Sequence, residues 1–243
     1  MSSSVLVVIG SGPGIGLATA SLFAVRKFDK IALISRNSAR LSKDQAVVLQ
    51  AARAAGRDVE VSTFSQDVGE TESFQRTLKK VEELGQISCI LFNSARVEPS
   101  DLLTYDEKEV VADFLVCICA LESRALLRTM QTTNIGILTT ARWAIPLLSK
   151  ATDKPAFLVT GGMLWETPKP DFFSLSMVKT SQRNLVRSLA MTFSDVHIAL
   201  VNVGGIVSPE DKIFNPTAVA EKFWDVYSEG KGQWTSEVNI LAA

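Results

Sequence analysis

The chain has 243 residues, with 25 Lys and Arg against 26 Asp and Glu, for a formal net charge of −1. That balance leaves no basic field for nucleic acid or an anionic membrane surface. A composition of 47% hydrophobic and 21% charged residues is that of an ordinary globular protein able to bury a core without staples.

The opening "MSSSVLVVIG" has no basic region before its apolar run, so no signal peptide is expected. The apolar run "FLVCICAL" (Phe114–Leu121) falls far short of the ~18 residues of a membrane span. These features point to a cytoplasmic protein. The cysteines, Cys89, Cys117 and Cys119, have no metal-ligand spacing, and His197 is the single histidine, so no metal site is expected.

Six short apolar runs read as strands: 5–9, 30–35, 58–64, 87–92, 155–161 and 196–203. Most are continuously apolar rather than alternating, as in parallel strands covered on both faces. The segments between them read as amphipathic helices. "GIGLATASLFAVRKF" sets Leu17, Leu22 and Phe23 on one stripe. "TESFQRTLKKVEEL" opens on Thr71 as a cap and spaces Phe74, Leu78 and Val81 helically. "NPTAVAEKFWDVY" has Asn215 as a cap and Pro216 in the first turn. The alternation predicts an α/β fold of Rossmann type: a doubly wound parallel sheet in three α/β/α layers, forming one domain over residues 1–243.

"VLVVIGSGPGIGLATA" is strand, glycine turn and helix, with Gly10, Gly14 and Gly16 in the pattern G-x-x-x-G-x-G. Gly10 permits the tight turn, Gly14 the approach of a pyrophosphate, and Gly16 close packing of helix on strand. Free N–H groups at the helix start would face the phosphates. The second strand ends at Ser35, followed by Arg36 with Arg40 nearby, where a carboxylate would favour NAD. A guanidinium suits a 2′-phosphate, which predicts NADP(H). After the third strand, Asp67 can accept from an adenine amino group with Val68 against the ring. A glycine-rich βα turn, a solvated arginine and a common post-strand Asp are the plain alternatives.

These residues resemble the short-chain dehydrogenase/reductase family over essentially the whole chain. Its glycine loop is matched by Gly10, Gly14, Ile15 and Gly16. Its NNAG motif is matched by "NSAR", with Asn93 and Ala95 kept, Ser94 for the second Asn and Arg96 for Gly. "NIGILTTARWAIPLL" is similar to its Asn-containing helix and begins at Asn134. Lys179 takes the place of its catalytic lysine, and Gly205 and Val207 match its nicotinamide-side loop. The resemblance implies that Lys179 holds the nicotinamide ribose and that Asn134, 45 residues earlier, helps order a water chain to it. It also implies a homodimer or homotetramer.

The family completes its site as Ser…Tyr-x-x-x-Lys. Here the tyrosine position is Leu175 and the serine position Gly162, so both oxygens are missing. Asp171, Thr160 and Ser174 are candidate replacements, each with a bland alternative as cap, strand end or first-turn surface.

Three functions remain open. One is an NADP(H)-dependent reductase acting on a small or medium apolar carbonyl or imine-type metabolite with a non-standard proton donor. The second is a non-redox cyclase or isomerase on the same scaffold, with Trp165 and the following phenylalanines as an apolar wall. The third is a silent NADP-binding protein. Residues 116–131 read as an insertion relative to the family, either a true extension or an unspliced intron. His197 is expected to be structural, and Trp224 and Trp234 to be core or interface anchors.

Overall fold

The computed structural model describes residues 4–95, 97, 99–100 and 131–242. Seven parallel strands form one sheet in the order β3-β2-β1-β4-β5-β6-β7. They are β1 Ser4–Ile9, β2 Lys30–Ser35, β3 Glu60–Ser65, β4 Gln86–Phe92, β5 Ala156–Gly162, β6 His197–Val203 and β7 Glu237–Ile240. The helices are α1 Ile15–Arg26, α2 Ser38–Ala54, α3 Thr71–Glu82, α4 Gly136–Leu148, α5 Phe173–Thr192 and α6 Pro216–Ser228.

The expected Rossmann-type architecture is therefore what forms. Successive residues of a strand face opposite sides, and β1 shows the result. Leu6 and Val8 join the core beneath α1, α2 and α6 with Phe23, Leu33 and Phe223. Val5, Val7 and Ile9 join the core beneath α3, α4 and α5 with Phe74, Ile90 and Val186. Every residue of β6 is buried, whereas the edge strand β3 alternates. Continuous apolarity thus marked the inner strands and failed at the edge, where "DVEVSTF" pairs only from Glu60.

Phe74, Leu78 and Val81 are fully buried, as their spacing predicts. Thr71 is not the cap of α3: Glu70 holds that position and makes no side-chain cap bond. Asn215 does cap α6, its side chain accepting from the Ala218 amide at 2.8 Å. Trp224 packs edge-on to Phe23, at 5.1 Å between ring centres. His197 stacks on Trp234 at 5.1 Å, and its Nε2 lies 3.1 Å from the Thr235 carbonyl. Both are packing roles, as expected. Among the described residues, no helix is long and apolar enough to cross a membrane, and no cluster of three His, Cys, Asp or Glu side chains could hold a metal. Cys117, Cys119, Tyr105, Arg96 and all of 116–131 except Gln131 lie outside the described residues.

Candidate functional site

The strand order runs back from β1 to β3 on one side and forward from β4 on the other. The two directions part between β1 and β4, and crevices at such switch points take ligands beyond the carboxyl ends of the strands. A cleft of about 360 Å³ opens there. Gly10, Ser35, Arg36, Asp67, Val68, Asn93 and Ala95, all expected at a dinucleotide site, line it, as do Ser11, Gln66 and Ser94.

The glycines divide by what surrounds them. Gly10 has φ +95°, and a Cβ on it would lie 2.6 Å from the Ser94 nitrogen. A Cβ on Gly16 would lie 2.5 Å from the Gly10 carbonyl oxygen. These two glycines let turn, helix and β4 close on one another. Gly12 and Gly14 instead face open space, with nothing within 4 Å of an added Cβ. Backbone is thus laid bare at the start of α1, where partial positive charge accumulates. Such a cradle fits a pyrophosphate.

Asn93 fixes the turn from the other side, its Nδ2 donating to the Gly10 carbonyl at 3.0 Å. Gly10→Ala would incur about 1–3 kcal/mol of backbone strain alone, besides the clash with β4. A lowered urea midpoint together with lost dinucleotide affinity is the expected result.

Arg36 is exposed at the cleft, and no ion pair involves it among the described residues. Arg40 is occupied differently: its Nε donates to the buried Asp44 carboxylate at 3.0 Å. Asp67 accepts from the Gly69 amide at 2.9 Å, which turns the chain and leaves its second oxygen available.

Across the switch, α5 carries Lys179, which is 8% exposed. Its Nζ points at the Thr160 carbonyl of β5, 3.4 Å away. Gln182, one turn on, donates to the same carbonyl at 3.2 Å. Lys179 makes no ion pair among the described residues. Burial lowers its ammonium from the usual 10.5 to about 8, because the charged form loses solvation without a counter-charge.

Leu175, one turn before Lys179, is 5% exposed and offers no donor. Gly162 has ordinary extended backbone, with φ −165°. The hydroxyls of Thr160 and Ser174 are buried without hydrogen-bond partners among the described residues. Asp171 is exposed just ahead of α5, and its carbonyl accepts from the Ser100 amide at 2.8 Å; the structure does not set its carboxylate in the buried group around Lys179.

Asn134 lies in a widened turn, Gln131–Ile135, so the regular helix starts two residues later than expected, at Gly136. Single widened turns of this kind recur at functional sites. Its Nδ2 donates to Ser181 Oγ at 2.5 Å and to the Val178 carbonyl at 3.4 Å, tying α4 to α5. Its Oδ1 is buried with no hydrogen-bond partner among the described residues. Tyr227 is remote from this group, packed against Phe23 and Phe28 beneath α1 and α6. Gly205 is exposed after β6, and a Cβ on it would run into the Phe214 ring at 2.3 Å. Val207 packs on the core beneath α1.

Sequence reasoning missed Ser11, Asp44 and Gln182. Gln182 could have been suspected from its i+3 relation to Lys179. The Ser11–Asp44 contact spans 33 residues and had no local signal.

A KR domain family model matches residues 4–115. Estradiol 17-beta-dehydrogenase 11 of Macaca fascicularis is 27% identical over 242 residues, covering 90% of this chain and 77% of that protein. The chain is thus similar to the KR domain family over its first half and to a curated dehydrogenase over most of its length. Solved structures show the same fold. An alcohol dehydrogenase of Thermococcus sibiricus complexed with 5-hydroxy-NADP superposes with a TM-score of 0.79 at 22% identity, covering 97% of this chain and 95% of that one. An NADPH-bound short-chain oxidoreductase of Pseudomonas aeruginosa PAO1, described as containing an atypical catalytic center, gives 0.77 at 20% identity, covering 97% and 94%. In this chain the glycine turn runs into α1, and Leu175 stands one turn before Lys179 on α5.

Proposed function

We propose that the protein is an NADP(H)-dependent reductase of a small or medium apolar carbonyl or imine-type metabolite, with Lys179 as its proton donor. The observation that carries this reading is the buried Lys179 ammonium, without an ion pair among the described residues, across the sheet switch from a cleft lined by Arg36. The Gly12–Gly14 turn would hold the pyrophosphate, Arg36 the 2′-phosphate and Val68 the adenine. Lys179 and the Thr160 hydroxyl would meet the nicotinamide side.

Bound NADPH supplies the hydride. A ketone oxygen gains negative charge as its carbon is reduced and must take up a proton. The Lys179 ammonium gives an N–H proton to that oxygen, and the neutral amine left behind regains one from solvent. A donor titrating near 8 is matched to this work at neutral pH. Turnover in the reducing direction should therefore be level below about pH 8 and fall above it, where the amine is neutral. An iminium substrate becomes a neutral amine on hydride addition and makes no such demand.

The test is NADPH oxidation across a panel of ketones and cyclic imines. Ketone turnover with a fall above pH 8 supports the reading. Loss of turnover in Tyr105→Phe would move the proton donor to that residue. Conversion of substrate without NADPH loss would favour the cyclase or isomerase alternative, and binding alone a silent protein. Arg36→Ser should weaken NADPH about ten- to a hundredfold while leaving NADH within twofold, since a hydrogen-bonded ion pair to phosphate is worth roughly 1.5–3 kcal/mol; calorimetry with both dinucleotides measures it. A homodimer or homotetramer is the assembly proposed for the enzyme, and light scattering reads it.

A further inference from the structure

Inside the wall of the cleft lies a carboxylate that the reading above leaves unused. Asp44 on α2 is 1% exposed. One of its oxygens accepts from Ser11 Oγ at 2.8 Å and the other from Arg40 Nε at 3.0 Å. Ser11 belongs to the glycine turn and lines the cleft beside Arg36. Arg40 stands in the first turn of α2, where its own amide is capped by Asn37.

A buried carboxylate is costly unless each oxygen finds a donor and its charge a partner. Here both needs are met, and each has its own consequence. The Ser11 bond ties the phosphate turn to α2 across 33 residues. The Arg40 bond cancels the positive charge that α2 would otherwise bring toward the ribose side of the cleft. Arg36 is left as the uncompensated cation of that wall among the described residues.

The geometry points to Asp44 as a positioning residue that sets dinucleotide selectivity, latching the glycine turn and restraining the positive potential met by the ribose 2′ position. This rests on the reading that a nicotinamide dinucleotide occupies the cleft. The two roles separate physically. Displacing Ser11 alters the pyrophosphate seat, which NADH and NADPH share. Altering the charge acts on the pyrophosphate of both ligands and, in NADPH alone, on the 2′-phosphate as well, so the affinity ratio isolates the second effect.

The experiment is calorimetric titration of NADPH and NADH into the full chain and its Asp44→Asn, Arg40→Met and doubly substituted variants. Asp44→Asn keeps the shape and removes the negative charge. It should raise the NADPH-to-NADH affinity ratio about three- to tenfold at low salt, the scale of one unit charge several ångströms from a phosphate. Arg40→Met leaves the carboxylate unopposed and should lower the ratio by a similar factor. The double variant, neutral again, should return close to the parent ratio. The excursions should shrink in 0.5 M salt.

An unchanged ratio in all three variants, accompanied only by shifts in melting temperature, would overturn the proposal and leave Asp44 a structural latch. If Asp44→Asn does not fold, Arg40→Met and the double variant decide the matter. Failure of the parent protein to bind either dinucleotide would instead remove the cofactor reading beneath it.

Discussion

Lys179→Met is expected to stop ketone reduction and to make the protein more stable. The side chain is buried beside a carbonyl without a counter-charge, and its ammonium titrates near 8 rather than 10.5. In the unfolded chain it titrates near its ordinary value. Between pH 8 and 10.5 the unfolded state therefore holds more protons, and stability rises with pH across that window. Below pH 8 the cost of burying the charge is felt in full, on the order of 3 kcal/mol. Methionine fills the same space with no charge. Urea melts at pH 7 should show a gain of up to about 3 kcal/mol, narrowing as pH is raised. Under the same substitution kcat for a ketone should fall by about 10²–10⁴, the contribution of a positioned acid. A reducible iminium should be spared most of that loss. Lost stability at pH 7, or undiminished ketone turnover, would refute the assignment.

The double change Gly162→Ser with Leu175→Tyr should work in the opposite direction. Gly162 is extended, and a Cβ there comes no nearer than 3.7 Å to another atom, the Val203 carbonyl oxygen, so serine fits without strain. Leu175 stands one turn before Lys179 on α5, on the helix face that holds the lysine. Tyrosine is larger, and overfilling this buried site will cost about 1–3 kcal/mol. In return a hydroxyl would stand beside the ammonium, and ketone reduction should rise by about 10²-fold. Leu175→Phe, with the ring but no hydroxyl, is the control and should show no gain. Reduced turnover in the double variant would mean that the native site works by a route the restored pair obstructs.

Much of the switch-point cleft was legible in the residues because its physics is local. Gly10 and Gly16 are required where a strand turns sharply into a helix, and the apolar strands on either side announce that context. Arg36 stands just past the end of β2, where sequence distance from the glycine turn predicts it. The surroundings of Lys179 were less legible because its contacts are distant in the chain. Nothing near Asn134 says that its amide will bond α5, and nothing near Thr160 says that its carbonyl will receive both Lys179 and Gln182. Arg40 shows the same limit: it stands near Arg36 in the sequence, but nothing local says that its Nε will donate to the buried Asp44. Thr71 failed as a cap because the helix boundary, fixed by packing of Phe74 and Leu78, fell one residue away from the pattern.

The central placing of β1 has a consequence for how the chain is made. β1 is flanked by β2 and β4, so its second edge stays unpaired until residues 86–92 have been synthesised. Parallel pairing over such a separation is slow, and an open apolar edge invites wrong partners meanwhile. Once Phe92 has left the ribosome, however, four adjoining strands, β3-β2-β1-β4, can assemble. The half that carries the glycine turn would then exist before the lysine-bearing half is translated.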